Sequence, residues 1–508
     1  MHRLSVAVST AVVMLFGIVL TLGLFGSTPT GAGDNGDGVR LYCGAGLLPD
    51  TPTKGSNWLG GVVVDFDRGE ACPQPQPSSA LPALRLAAAG EDPFSLTRLG
   101  WVYAIAVALV TGVAVWAVTK RGLAWALVLL PAAVPLLNVD FTRFFVSTFT
   151  EPPGLVGAYA LLCGLAVAVV TDPGNRVERA VALVLVGAGG LVAGTAKPSF
   201  APVLAVAVLV CAVVRFGARG WKSRIAGPVV AVAAAVAAVG PLTATLQWQD
   251  SSYTGVNTFN LVYTVVLEEI PGATAELGIT PEAQSYAGNA YFPNGPGGVP
   301  GADELIPKSS EYRTQAWKVL AAHPGAALTA LSVGVVATES RDLAYLPSRT
   351  WSPGVEREPL PPTVTGSQGA DRESLRAWLS SVVLPWKPWA VAVLGLLAGV
   401  FALFRRANRA LTVLCRTAGA AALTGLGVVA LAILGDGYFE VAKHVWLAAY
   451  LFDVTLLALV GAAVVAVVTA VRRRSASDTP DESDAVEAPG AEPVPAGGGN
   501  GRPANGVA

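Results

Sequence analysis

Charge is scarce in this chain. Only 14% of its 508 residues are Asp, Glu, Lys or Arg, against about 25% in an ordinary soluble domain. The formal net charge is -1, so there is no basic field to attract nucleic acid. There are three histidines, His2, His323 and His444, and neither their spacing nor any paired CxxC offers a metal site. No Walker loop, no heptad and no GxGxxG opening a helix after a strand is found. No internal repeat is visible either, which weakens a reading as an inverted-repeat transporter.

Apolar residues are abundant. They make up 53% of the chain, and the mean hydropathy is +0.54. The composition is that of a polytopic, all-α membrane protein. A spanning helix needs about 17–25 apolar residues, fewer where flanking side chains reach out. Runs of this kind predict about ten spans, near 4–25, 100–118, 122–137, 154–171, 180–196, 199–214, 226–245, 388–404, 417–434 and 445–471. The first run is too long for a signal-peptide core of about 7–15 residues and reads as a first transmembrane helix.

Basic residues cluster in alternate connections: Lys120 and Arg121; Arg176 and Arg179; Arg215, Arg219, Lys222 and Arg224; Arg405, Arg406, Arg409 and Arg416; Arg472 to Arg474. The positive-inside rule places them, and both termini, in the cytoplasm of a protein of the cell membrane. The apolar run in 323–340 is short, and a crossing there would carry every later basic loop outside. It is expected to be re-entrant or interfacial. A membrane domain over 1–474 then has two large outer regions, 26–99 and 246–387. The tail 475–508, rich in Pro, Gly, Ala and acid, is expected to be disordered. Cys43 and Cys72 share the first outer region, where oxidising conditions favour a disulfide; two separate thiols are the alternative. Cys163, Cys211 and Cys415 read as small apolar fillers.

The short outer connections carry Arg143, Lys197 and Lys443, where the positive-inside rule would remove cations. Acids accompany them: Glu151 follows Arg143, and Asp436 and Glu440 precede Lys443. The first outer region opens with Asp34 and Asp37, and Arg40 lies three residues after Asp37, close enough to orient it or keep it ionised. Lys197 closes one helix, and Pro198 opens the next at a first turn that tolerates proline. An ammonium at the outer membrane surface, near Arg143, Lys443 and His444, suits a lipid-anchored phosphate. A carboxylate beside it suits proton abstraction. Each residue also has a plain reading. Lys197 could snorkel to headgroups, Asp34 and Asp37 could be turn residues, and Glu151 could serve a helix start. The convergence on one face is what points to chemistry.

Five stretches carry a family resemblance: "NGDGVRLY" (35–42), "FVSTFTEPPGLVG" (145–157), "GTAKPSFAP" (194–202), "LGITPEAQSYAGNAYF" (277–292) and "GYFEVAKHVWLAAYLFD" (437–453). In order and spacing the chain resembles the GT-C superfamily of integral-membrane glycosyltransferases. These use a polyprenyl-phosphate-linked sugar as donor. It is most similar to the WsfD-type hexose transferases in actinobacterial form. The resemblance implies a catalytic carboxylate at Asp37, with Asp34 the alternative, and carries Glu151, Lys197–Pro198 and Lys443–His444 over as site residues. Thr150 stands where the family has serine. Gly38 replaces a bulkier residue, which bears on pocket shape. The implied reaction inverts the anomeric centre in one displacement. Asp37 would take the proton of a glycan or lipid-linked acceptor, while Lys197 with Lys443, His444 or Arg143 neutralises the departing lipid phosphate. No cofactor or metal is required, though the carboxylates leave room for a divalent cation. Three other readings stand beside this one. They are a flippase for lipid-linked sugars, an O-antigen-ligase-like enzyme using the late-loop arginines Arg341, Arg349, Arg357, Arg372 and Arg376, and a non-enzymatic envelope protein.

Overall fold

The structure is a computed structural model that describes residues 2–50, 59–217, 220–292, 295–339, 386–404 and 408–477. The late-loop arginines 341–376 and most of the tail 475–508 lie outside the described residues. Among the described residues the chain is a helical bundle with eight helices long and apolar enough to cross a membrane, or up to ten if each of two bent helix pairs counts as one span. The main helices are α1 (His2–Leu22), α2 (Leu96–Val118), α3 (Glu151–Val170), α4 (Arg176–Gly194), α5 (Ala201–Val213), α6 (Lys222–Asn260), α7 (Ser309–Ala322), α8 (Pro324–Ala337), α9 (Lys387–Phe404), α10 (Arg409–Asp436) and α11 (Trp446–Ser477). Contacts divide the chain into a unit Met1–Ala463, which holds the bundle and its polar end, and a second, Val464–Ala508, which begins inside α11.

Eight of the ten expected spans are continuous long helices; the other two differ for identifiable reasons. The 122–137 span breaks into the 3₁₀ turns Leu123–Leu129 and Val134–Leu137 around a four-residue helix, and bends by 69° into Val139–Phe145. Pro131 and Pro135 each lack the N–H that a helix interior needs. The 199–214 span is a short apolar helix, Pro198–Val213. Pro198 opens its first 3₁₀ turn, as its fixed φ allows. A third difference is of length. The helix expected to end near 245 continues to Glu269, 47 residues in all, which at 1.5 Å per residue is about 70 Å. It outruns a bilayer core of about 30 Å. The region after 245 therefore begins as helix rather than loop, and passes through a π-helical stretch at Leu261–Val266.

Packing is closest where side chains are smallest. Gly395 and Gly399 of α9 face α10, and a methyl placed on Gly399 would lie 2.8 Å from the Cα of Gly419. This is the small-residue interface by which membrane helices approach. It also makes α9 and α10 antiparallel, so Lys387 lies toward the Asp436 end. The residues flanking helix α8 both have partners. His323 before it bonds Glu276 at 2.9 Å, and Glu339 after it pairs with Lys387 at 3.1 Å. It meets α7 at a break of 106°.

Opposite that end, Arg3 and Lys120 share Glu178, and Arg121 and Arg409 share Asp172. Basic residues assigned to one side by sequence thus meet at one end of the bundle. At the other end, residues 23–50 and 59–95 form a small lobe. Its two-stranded and three-stranded sheets use β1 (Asp34–Asn35), β2 (Leu47–Pro49), β3 (Leu59–Gly61), β4 (Asp65–Arg68) and β5 (Phe94–Ser95). Tyr42, Phe66 and Phe94 pack through its centre with their rings tilted. A Cys43–Cys72 disulfide, Cα–Cα 5.2 Å, ties it together. The lobe docks on the Lys197 turn: Ser79 N donates to Thr195 O at 3.1 Å, and Ser78 Oγ donates to Ala196 O at 2.8 Å. Cys163, Cys211 and Cys415 are free and buried.

The α9–α10 contact predicts that Gly399→Ala destabilises the bundle by about 1–3 kcal/mol, the usual cost of overpacking. Gly325→Ala, where a methyl meets nothing within 4 Å, should be neutral or slightly stabilising. Thermal unfolding of both variants in detergent checks this; equal melting temperatures would contradict the packing account.

Candidate active site at the end of the bundle

The five stretches listed above, far apart in sequence, come together at the lobe end. The connection after α10 is the tightest. Gly437 has φ +65, and a side chain there would strike Thr264 Oγ1 and the Asn260 backbone. Glu440 is the one non-glycine residue with positive φ among the described residues, at +45. Such a conformation costs energy and persists only where the surroundings enforce it. It starts the turn Val441–His444, in which the Lys443 and His444 amides both donate to Glu440 O.

That turn drives Lys443 inward until its side chain is 3% exposed. A buried ammonium needs compensation, and it has two carboxylates. Lys443 pairs with Asp37 Oδ2 of the lobe, and with Glu440 Oε2 at 3.2 Å. Its Nζ also lies 4.7 Å from the Phe149 ring centroid. Asp37 is 23% exposed and meets Arg40 at 2.6 Å. Arg40 in turn donates through Nε to Tyr253 OH at 2.8 Å and stacks on that ring. Burial opposes the charged form of Asp37, but Lys443 and Arg40 outweigh it and hold its carboxyl well below the usual carboxylate range. For Lys443, burial works against the ammonium, and Asp37, Glu440 and Glu151 more than reverse it, so its pKa is raised.

Asp34 is different. Its Oδ1 accepts from the amides of Gly36 at 2.8 Å and Gly38 at 3.1 Å, shaping the loop. Burial is the dominant influence and pushes its carboxyl up to about 6, with the two amides pulling the other way. Gly38 is required here. Any side chain at that position would strike Asp34 and Thr148.

A second pair lies beside the first. Glu151, 2% exposed, opens α3, and its Oε1 meets Lys197 Nζ at 3.0 Å. It acts through an ion pair to the next turn rather than as a helix cap. Lys197 influences Asp37, and Lys443 and His444 influence Glu151, so the pairs share one electrostatic environment. His444 Nε2 lies 3.2 Å from Asp436 Oδ2. Arg143 is buried in the turn Arg143–Phe145, next to Phe144, whose ring packs 4.5 Å from Trp446. Among the described residues no group of three His, Cys, Asp or Glu is placed to hold a metal.

The α6 extension supplies residues that the loop reading of 246–387 passed over. Asn260 Nδ2 donates to Asp436 Oδ1 at 2.9 Å, and its Oδ1 accepts from Tyr291 N at 2.8 Å. Asn257, with its amide oriented to suit its neighbours, donates to the same Asp436 oxygen at 3.2 Å and accepts from Gln249 at 3.0 Å. Gln249, Tyr253, Asn257 and Asn260 recur at helical spacing, so they share a face. That periodicity was the available signal. The 277–292 stretch joins through Phe292, whose ring is 5.9 Å from Phe439.

A family model, the YfdI N-terminal transmembrane domain, matches residues 1–483. The chain belongs to that family. No curated protein and no solved structure matches it.

The pairing of Lys443 with Asp37 predicts a pH-dependent defect in Lys443→Met. In the native protein, Asp37 adds stability above its unfolded value of about 4, and the gain is lost as pH falls through the lower folded value. Without the lysine, Arg40 and Lys197 are left to oppose burial, so the carboxylate is less well compensated and protonation relieves part of the cost. Melting should therefore show a loss of about 1.5–3 kcal/mol near pH 7.5, shrinking near pH 5. An equal loss at both would contradict the pairing.

Proposed function

We propose that this chain is an integral-membrane glycosyltransferase of GT-C type. It moves a hexose from a polyprenyl-phosphate donor to a glycan or lipid-linked acceptor in the cell envelope, as the WsfD-type enzymes that it resembles do. The reading places the reaction on the outer face of the cell membrane and both termini in the cytoplasm. The observation that carries it is the double ion pair at the end of an apolar bundle: Lys443 with Asp37, beside Lys197 with Glu151. Two ammonium groups at that depth meet a phosphate held at the membrane surface by its lipid chain, and each already has a carboxylate that the phosphate can displace.

The chemistry follows. The donor phosphate draws Lys443 and Lys197 onto its oxygens, which releases Asp37 Oδ2 from Lys443 while Oδ1 stays on Arg40. The acceptor oxygen attacks the anomeric carbon from the side opposite the phosphate. The bond from that carbon to the phosphate oxygen breaks, and its electron pair leaves with the lipid monophosphate. The acceptor proton passes to Asp37, and the sugar is inverted. The two ammonium groups act where charge develops. Asp34 shapes the loop that presents Asp37.

Transfer of labelled hexose from polyprenyl-phosphate hexose to envelope acceptors tests the scheme. Asp37→Asn should slow transfer at least about a hundredfold, the scale of general base catalysis. Asp34→Asn should lose far less, because an amide oxygen still accepts from Gly36 and Gly38. A base must be deprotonated, so the acid limb of kcat/KM should lie below the usual carboxylate range for Asp37. It would break at about 6 if Asp34 were the base. A break near 6 together with an inactive Asp34→Asn reverses the assignment. No transfer at all removes the enzyme reading.

A further inference from the structure

A hollow of about 370 Å³ opens beside the α6 extension, lined by Asp250, Thr254, Lys308, Ser310, Glu311 and Arg313. Asp250 and Thr254 lie one helical turn apart. The adjoining stripe of the same helix, Tyr253 and Asn257, faces Arg40 and Asp436. The hollow and the ion-pair cluster are thus neighbouring faces of one helix. Its walls are fixed. Arg313 Nη2 donates to Asp250 Oδ1 at 3.1 Å, and Thr254 Oγ1 reaches the same oxygen at 3.1 Å. Trp317, one turn on in α7, lies 5.6 Å under the Arg313 guanidinium and donates to Leu434 O at 3.0 Å. That bond ties the wall to the end of α10.

The lining selects its ligand by charge. Lys308 and Arg313 balance Asp250 and Glu311, so the hollow has no net charge. A phosphate entering it would meet two carboxylates, a cation would meet two basic groups, and an apolar ligand would find only Pro307. A sugar hydroxyl suits both kinds of group, since it donates to a carboxylate and accepts from an ammonium or guanidinium. We propose that this hollow is a binding subsite for a neutral, polyhydroxylated glycan and seats the non-reacting sugar units of the acceptor. The word acceptor rests on the transferase reading; the class of ligand rests on the lining.

A glycan array carrying neutral hexose oligosaccharides beside uronic-acid and phosphorylated ones, probed with the full chain in nanodiscs, tests this directly. Neutral glycans should bind and charged ones should not. Ser310→Trp, which fills the hollow from an exposed position, should lower the neutral signal at least tenfold. Lys308→Glu, which leaves the lining net negative, should lower it as well. Absence of any neutral-glycan signal, or a signal that neither variant changes, overturns the proposal. The two readings fail separately. Array binding without hexose transfer would sink the transferase and keep the subsite, and transfer without array binding would do the reverse.

Discussion

An ammonium buried at the end of an apolar bundle is the constraint on which the rest of this structure depends. Lys443 cannot be buried there alone, because an unpaired charge in such a place costs more than a fold can spare. Its partner Asp37 comes from the small lobe after α1, about four hundred residues away in sequence. Placing that partner requires the lobe to be folded, closed by its disulfide and seated on the Lys197 turn. It also requires the strained turn at Gly437 and Glu440 that pushes the lysine inward. The α6 extension completes the frame by holding Arg40 on one side and Asp436 on the other.

The same arrangement is suited to switching partners. Lys443 is 3% exposed, but its partner Asp37 keeps 23% of its side-chain exposure, and Lys197 keeps 17%. A lipid phosphate offers each ammonium a stronger, multidentate partner. Exchange would release Asp37 Oδ2 from its lysine, with Oδ1 still held by Arg40. Stability and the proposed catalysis therefore draw on one set of charges. Asp34 stands apart, with its lone pairs committed to glycine amides and its carboxyl raised by burial.

Much of this was legible in the sequence, because uninterrupted apolar windows identify spanning helices almost by length alone. The exceptions have local causes. Pro131 and Pro135 broke one expected span, and the polar face of residues 249–260 hid a helix that outruns the bilayer. Lys197 and Lys443 stood out in the sequence as cations where the positive-inside rule would remove them, and Asp37 and Glu151 through the family resemblance. Their pairing was not legible, since Lys443 reaches Asp37 and Glu151 reaches Lys197 only through tertiary packing. Asn257 and Asn260 were missed because uncharged amides stand out only when they line a known helix face. Gly38 was noticed as a departure, and the structure supplies the reason: Asp34 and Thr148 occupy the space of a side chain.

The central claim is that these lysines receive a lipid phosphate, and the most direct measurement is binding of a polyprenyl monophosphate against the matching polyprenol. The account predicts that the purified protein prefers the phosphate at least about tenfold, a difference of about 1.4 kcal/mol, and that Lys197→Met removes most of that preference while leaving polyprenol binding unchanged. Equal affinity for the two lipids, or a preference that survives Lys197→Met intact, would contradict it.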